Sequence, residues 1–166
     1  MKDLLKYVDE CKLELKSIGI KYGNVKDFTV NTRAKSRLGS CKKIGFNTFE
    51  ISISKFLLED NIDTQVLKNT IVHELLHTVK GCFSHKHKWK LLAQTVNEKL
   101  PEYTITRTTD FKKIGIENQL KEPVFKYILK CENCGLEIKR QRLSKAVQNY
   151  EKYRCVKCGG KLKRII

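Results

Sequence analysis

Two histidines four residues apart, with a glutamate directly after the first, interrupt an otherwise apolar run, IVHELLHTV, at positions 71 to 79. On a helix, residues four apart project from one face a turn apart, so His73 and His77 can reach a single metal ion. Glu74 points to the side of that pair, where it can take a proton from a water held at the metal. Two imidazoles and a carboxylate in a helix that must otherwise be buried need partners, and a metal supplies them. Val66, Leu67, Ile71, Leu75 and Val79 form the buried stripe of a helix predicted over 63–80, with Asn61, Asp63 or Thr64 as N-cap and Gly81 as its stop.

A catalytic zinc needs a third protein ligand and an open fourth position. The metzincin spacing fails, because Phe83 stands where that ligand would be and Lys80 where its glycine would be. Glu98 lies about twenty residues after His77, the thermolysin-like distance. His85 and His87, just after the Gly81 turn, match zinc better chemically, and no histidine lies outside positions 73 to 87.

The rest of the chain reads as mixed α and β. Leu4, Leu5, Val8, Cys11, Leu15 and Ile18 recur at helical spacing, with Gly19 and Gly23 where the helix would stop. DFTVNT and TFEISIS alternate as strands, and the basic RAKSRLGSCKKIG between them is expected to be a loop or the turn of an irregular hairpin. A second helix is predicted over 88–100, carrying Trp89, Leu92 and Val96, followed by a β-like piece, YTITR. Residues 110–122 read as a linker, giving an α+β chain of two domains, 1–115 and 116–166.

In a chain expected to be intracellular, seven cysteines are metal ligands or free thiols before they are disulfides. Cys131, Cys134, Cys155 and Cys158 form two CxxC knuckles twenty residues apart, each followed by a glycine that allows the tight turn. That is the pattern of a structural four-thiolate zinc ribbon, in a segment with too few large apolar residues to fold alone. Cys11 and Cys41 are expected to pack as small apolar residues, and Cys82 could compete for the metal near the histidines.

The formal charge is +16, from 34 basic and 18 acidic residues, which points to a polyanionic partner. From position 121 onward thirteen basic residues face four acidic ones, more than half of the excess in just over a quarter of the chain. Lys139, Arg140, Arg142, Lys145, Lys152, Arg154, Lys157, Lys161, Lys163 and Arg164 are the expected phosphate contacts. Tyr150 and Tyr153 are either stacking residues or part of the ribbon core. No apolar run approaches the roughly 18 residues needed to span a bilayer. A cytoplasmic monomer is expected, nucleoid-associated or nuclear, with no membrane partner.

VHELLH, SHKHKWKLLA and the ribbon KCENCG…RCVKCGGKL together resemble the SprT-like family of zinc metalloproteases, to which the Spartan-type proteases of DNA-protein crosslinks belong. In that family the third zinc histidine opens an H-G-x-x-aromatic motif; Trp89 stands four after His85, so the resemblance selects His85, with Lys86 in the usual glycine position. The resemblance implies a minimal gluzincin-like zincin domain with one catalytic zinc on His73, His77 and His85, Glu74 as general base, and a second, structural zinc in the ribbon. It also implies proteolysis of DNA-bound or DNA-crosslinked proteins in DNA repair. Tyr103 and Arg107 are the nearest downstream candidates for stabilising an oxyanion. The competing reading is a non-catalytic, zinc-containing nucleic-acid-binding or regulatory protein. Glu74 argues against it, since a purely structural site gains nothing from a general base.

Overall fold

A computed structural model describes residues 1–34, 37–108 and 124–166. These fall into two compact units, one within Met1–Leu120 and one within Lys121–Ile166. The expected linker, and the expected boundary after residue 115, lie outside the described residues.

The first unit begins with α1, Leu4–Ser17, capped by the Asp3 carboxylate, which accepts from the backbone N–H groups of Leu5 and Lys6. Leu4, Val8, Cys11 and Leu15 form its buried stripe. Three strands follow, β1 (Asn24–Asn31), β2 (Gly39–Gly45) and β3 (Thr48–Ser54), in the order β1-β3-β2. The central strand β3 runs parallel to β1 and antiparallel to β2, with Phe49, Ile51 and Ile53 buried. A 3-10 turn, Lys55–Leu58, leads toward α2, Thr64–His77, whose N-cap is Asp63. After it comes α3, His87–Lys99.

Three sequence expectations need correction. The segment GSCKKIG is a strand and not a loop. Its side chains hide that, because β2 lies at the sheet edge: backbone pairing with β3 holds it, and its Lys42 and Lys43 are exposed. Helix α2 ends at His77, three residues before the expected Lys80. There the Thr78 hydroxyl donates to the Leu75 carbonyl at 2.7 Å and accepts from the Gly23 N–H at 2.9 Å, competing with the helix ladder. Finally, YTITR is not a strand; the Thr104 and Ile105 backbone takes side-chain partners from Asn69 and Asn97.

Helices α1, α2 and α3 share one core with the buried face of the sheet, including Val8, Leu15, Ile51, Ile53, Leu75 and Trp89. Cys11 is fully buried and its thiol is pushed up to about 12 by that burial. Cys41 is likewise pushed up to about 12 by burial, with the Glu74 charge adding to the shift. Both thiols are thus held protonated, as packing residues should be.

The second unit is a small antiparallel sheet of β4 (Tyr127–Cys131), β5 (Glu137–Arg140) and β6 (Leu162–Arg164) in the order β5-β4-β6. The single-turn helix α4, Lys145–Gln148, and a 3-10 turn, Tyr150–Lys152, connect β5 to β6. Its buried core is Leu129, Val147 and Leu162 with Cys131 and Cys155, too little apolar volume to hold the fold unaided. Among the described residues, no helix is long and apolar enough to cross a membrane.

Candidate active site

Helix α2 presents His73 and His77 on one face, and the turn before α3 brings His85 to them. Their Nε2 atoms are separated by 3.3 Å (His73 to His77), 3.1 Å (His77 to His85) and 2.9 Å (His73 to His85). Backbone carbonyls decide the tautomers. His73 Nδ1 lies 3.0 Å from the Thr106 carbonyl and His77 Nδ1 lies 3.0 Å from the Cys82 carbonyl. A carbonyl only accepts, so both Nδ1 atoms carry the proton and both Nε2 atoms present bare lone pairs. Converging lone pairs repel unless a cation lies between them. Three nitrogens about 2.0–2.1 Å from a tetrahedral zinc stand roughly 3.3 Å apart, close to the spacing seen here.

Trp89, the third residue of α3, packs against all three rings, with centroid distances of 4.8, 5.5 and 4.5 Å to His73, His77 and His85. It is buried and closes the apolar side of the cluster. Burial pushes the His73 ring down to about 4, with the charges of His77 and His85 adding to the shift; burial also lowers His77 and His85. Neutral imidazoles are the form that binds metal.

Glu74 is only 6 % exposed, and burial pushes its carboxyl from an ordinary 4.5 up to about 7, with Arg37 pulling it back down. Strand β2 passes directly over it. A Cβ at Gly39 would sit 2.7 Å from Glu74 Oε1 and 2.8 Å from its Cγ, so this position accepts only glycine while Glu74 keeps its place. Gly39→Ala is expected to displace the carboxylate and lower any Glu74-dependent activity at least about tenfold, since about an ångström of misplacement is enough for such losses. Steady-state kinetics of a folded Gly39→Ala chain, set beside its melting temperature, checks this.

The raised carboxyl also sets a pH dependence. An acid whose folded pKa exceeds its unfolded one stabilises the fold at low pH and loses that contribution as pH rises through the folded value. The metal-free chain should therefore fall behind metal-free Glu74→Gln between pH 4.5 and about 7, by about 3 kcal/mol in total. The lowered histidines act oppositely in the same range, so the difference between the two chains in denaturant titrations is the quantity that isolates Glu74.

His87 is exposed at the start of α3 and lies outside the cluster; Glu98 is exposed and accepts from Gln94 at 2.7 Å. Lys86, at the family's glycine position, has φ −80° and ψ −175°, backbone that any residue adopts, so the missing glycine puts no strain on the His85 turn. Cys82 contributes its carbonyl to His77 and not its sulfur to the cluster. Tyr103 is buried with its hydroxyl on Glu14 and so is not free to meet an oxyanion. Arg107 is exposed and near enough to His85 for its charge to lower that ring's pKa.

In the second unit Cys131, Cys134, Cys155 and Cys158 converge, with Sγ–Sγ distances of 3.5 Å (Cys131 to Cys158) and 3.6 Å (Cys134 to Cys155). A tetrahedral zinc with about 2.3 Å bonds to sulfur sets its ligands roughly 3.8 Å apart, so this cluster also suits the ion. The Cys134 N–H donates to Cys131 Sγ and draws that thiol below its usual range, favouring the thiolate. Gly135 and Gly159 adopt φ +69° and +70°, the left-handed turn predicted for each knuckle.

The sequence profile of the SprT-like family matches residues 12–109, more than half of the chain. The chain belongs to the SprT-like family. No curated protein matches it. The first unit is thereby the minimal zincin domain of a family of zinc-metallopeptidase type, and His73, Glu74, His77 and His85 all fall inside the matched region. The cysteine cluster lies beyond the matched residues and is consistent with a zinc ribbon.

In this SprT-like chain all ten basic residues expected to meet phosphates are exposed. Strand pairing divides them. Lys139, opposite Ile128, and Lys163, opposite Lys130, share one sheet face with Lys130, a residue the sequence did not single out. Arg140 and Arg164 lie on the other face, where the Arg164 guanidinium stands 5.1 Å from the Tyr127 ring centroid. Tyr150 packs against the ribbon core and Tyr153 is 45 % exposed. Thr106 and Gly39 also went unnoticed in the sequence, since a backbone carbonyl and a missing Cβ leave no pattern to read.

Proposed function

We propose that the chain is a zinc-dependent endopeptidase acting on proteins bound or crosslinked to DNA. The observation that carries the peptidase reading is a buried carboxylate, Glu74, on the same helix as His73 and His77, whose Nε2 atoms converge with that of His85 from the following turn. His73, His77 and His85 would hold the catalytic zinc, and the four ribbon cysteines a structural one. Zinc bound at the histidines supplies a Lewis acid that polarises a carbonyl and acidifies water.

Glu74, the buried carboxylate beside the histidines, would take a proton from the attacking water and return it to the departing amine. The β2 edge runs over Glu74, and its Gly39 end leaves backbone groups within reach of an extended peptide. A substrate strand pairing there would bring a peptide bond to the carboxylate by backbone recognition alone, which suits broad protein substrates. Trp89 fixes the histidine rings from the buried side.

The DNA part of the reading rests on charge. Lys130, Lys139 and Lys163 lie on one face of the ribbon sheet, where Glu137 pairs with Lys130 and Lys139 and leaves the face net positive, and Lys157 extends from the second knuckle. Such a surface binds phosphates without reading sequence and concentrates the peptidase on DNA-bound proteins.

The test incubates the zinc-loaded chain with a small DNA-binding protein, with and without DNA, at two salt concentrations. The reading expects cleavage that DNA accelerates and that weakens as salt rises. DNA binding with no cleavage under any condition would favour a non-catalytic binding module.

A further inference from the structure

Tyr103 to Thr106 cross from the end of α3 back to α2 without joining a helix or strand, and each of the four residues is tied down separately. The Tyr103 hydroxyl donates to the Glu14 carboxylate, which also pairs with Lys68. The Thr104 N–H donates to Asn69 Oδ1 at 3.1 Å. The Ile105 N–H donates to Asn97 Oδ1 at 2.7 Å, while the Ile105 carbonyl accepts from Asn97 Nδ2 at 3.1 Å. The Thr106 carbonyl then faces His73 Nδ1 at 3.0 Å.

With no ladder to place this strap, its side-chain ties decide where the Thr106 carbonyl lies. Asn97 makes the tie nearest to it, and a carboxamide offers the donor and the acceptor needed to bracket one residue on both backbone groups. The Ile105 side chain, buried on the core, removes the remaining freedom. Helix α3 thus reaches the metal cluster twice, through the Trp89 ring and through the Asn97 bracket.

We infer that Asn97 is a positioning residue of the metal centre: by bracketing Ile105 it holds the Thr106 carbonyl that fixes the tautomer and direction of His73. This rests on the reading that His73, His77 and His85 hold zinc. Partners behind a ligating histidine set its orientation and basicity, and losing one typically weakens metal binding by about 10- to 100-fold.

The test measures zinc affinity of the full chain by competition with a chromophoric chelator, reading the histidine and cysteine sites separately. Asn97→Ala should weaken the histidine site about 10- to 100-fold and leave the cysteine site unchanged. Asn97→Asp, which keeps the acceptor for the Ile105 N–H and loses the donor, should fall between. Val96→Ala removes buried volume from the adjacent position and leaves the bracket intact; it should lower the melting temperature without changing zinc affinity. The cobalt-substituted Asn97→Ala chain should also show an altered visible spectrum at the histidine site. Wild-type affinity and spectrum in Asn97→Ala, or equal weakening in Val96→Ala, overturns the positioning role. A wild-type histidine cluster that takes up no zinc while the cysteine site is loaded overturns the peptidase reading itself, a separate and recognisable outcome.

Discussion

Glu74→Gln is expected to lower peptide-bond cleavage by a factor of about 10²–10⁴, the usual contribution of a positioned general base. The substitution keeps the shape of the side chain and so the fit beneath Gly39, where even an added Cβ would lie 2.7 Å from Oε1. A carboxamide cannot take up the proton of the attacking water, so the chemical step suffers and substrate affinity does not. Loss through unfolding is not expected, because burial already disfavours the ionised carboxylate and a neutral amide avoids that cost. Turnover measured together with metal content and melting temperature decides the matter. Cleavage at the wild-type rate in a folded, zinc-loaded Glu74→Gln chain would remove Glu74 from the chemistry.

The second large effect lies in the ribbon. Among the described residues, five make up its buried core, two of them cysteines of the four-thiol cluster, so packing contributes little by itself. Structural zinc contributes an apparent 10–16 kcal/mol, roughly, in domains of this kind, far more than such a core can supply. Cys131→Ser should abolish zinc binding at the four-cysteine site and unfold the second unit. In an amide NMR spectrum, signals from residues 124–166 should collapse to unfolded positions while those of the first unit persist. DNA affinity should fall with them, because Lys130, Lys139 and Lys163 share a face only on a formed sheet. A dispersed ribbon spectrum in the metal-free variant is the result that would contradict this.

Much of the clustering of histidines and cysteines was legible because it depends on local spacing. The four-residue interval of His73 and His77 and the CxxC pairs become geometry as soon as the backbone is helix or knuckle, and most of the α1 and α2 stripes follow from period, although Leu5 is exposed and Val79 lies past the end of α2. Selecting His85 over His87 needed the family resemblance. The structure gives the physical reason: α3 begins at His87, so that side chain leaves with the helix while His85 stays in the turn facing α2.

What stayed hidden depends on distant partners. Strand β2 is held by backbone pairing at an edge, which relaxes the alternation that marks buried strands. The early end of α2 is decided by one hydroxyl, Thr78, and its bond to Gly23. The Tyr103–Thr106 strap is shaped by Glu14, Asn69 and Asn97, up to 89 positions away, and nothing in YTITR announces them.

The most direct test of the account is mass spectrometry of a DNA-bound protein substrate digested by the zinc-loaded chain in ¹⁸O-labelled water. The account predicts new C-termini each carrying ¹⁸O from a single hydrolysis, absent with Glu74→Gln, abolished by chelation and restored by zinc. An intact substrate with both the histidine and the cysteine clusters loaded would contradict it and leave a zinc-containing protein that binds DNA without cutting.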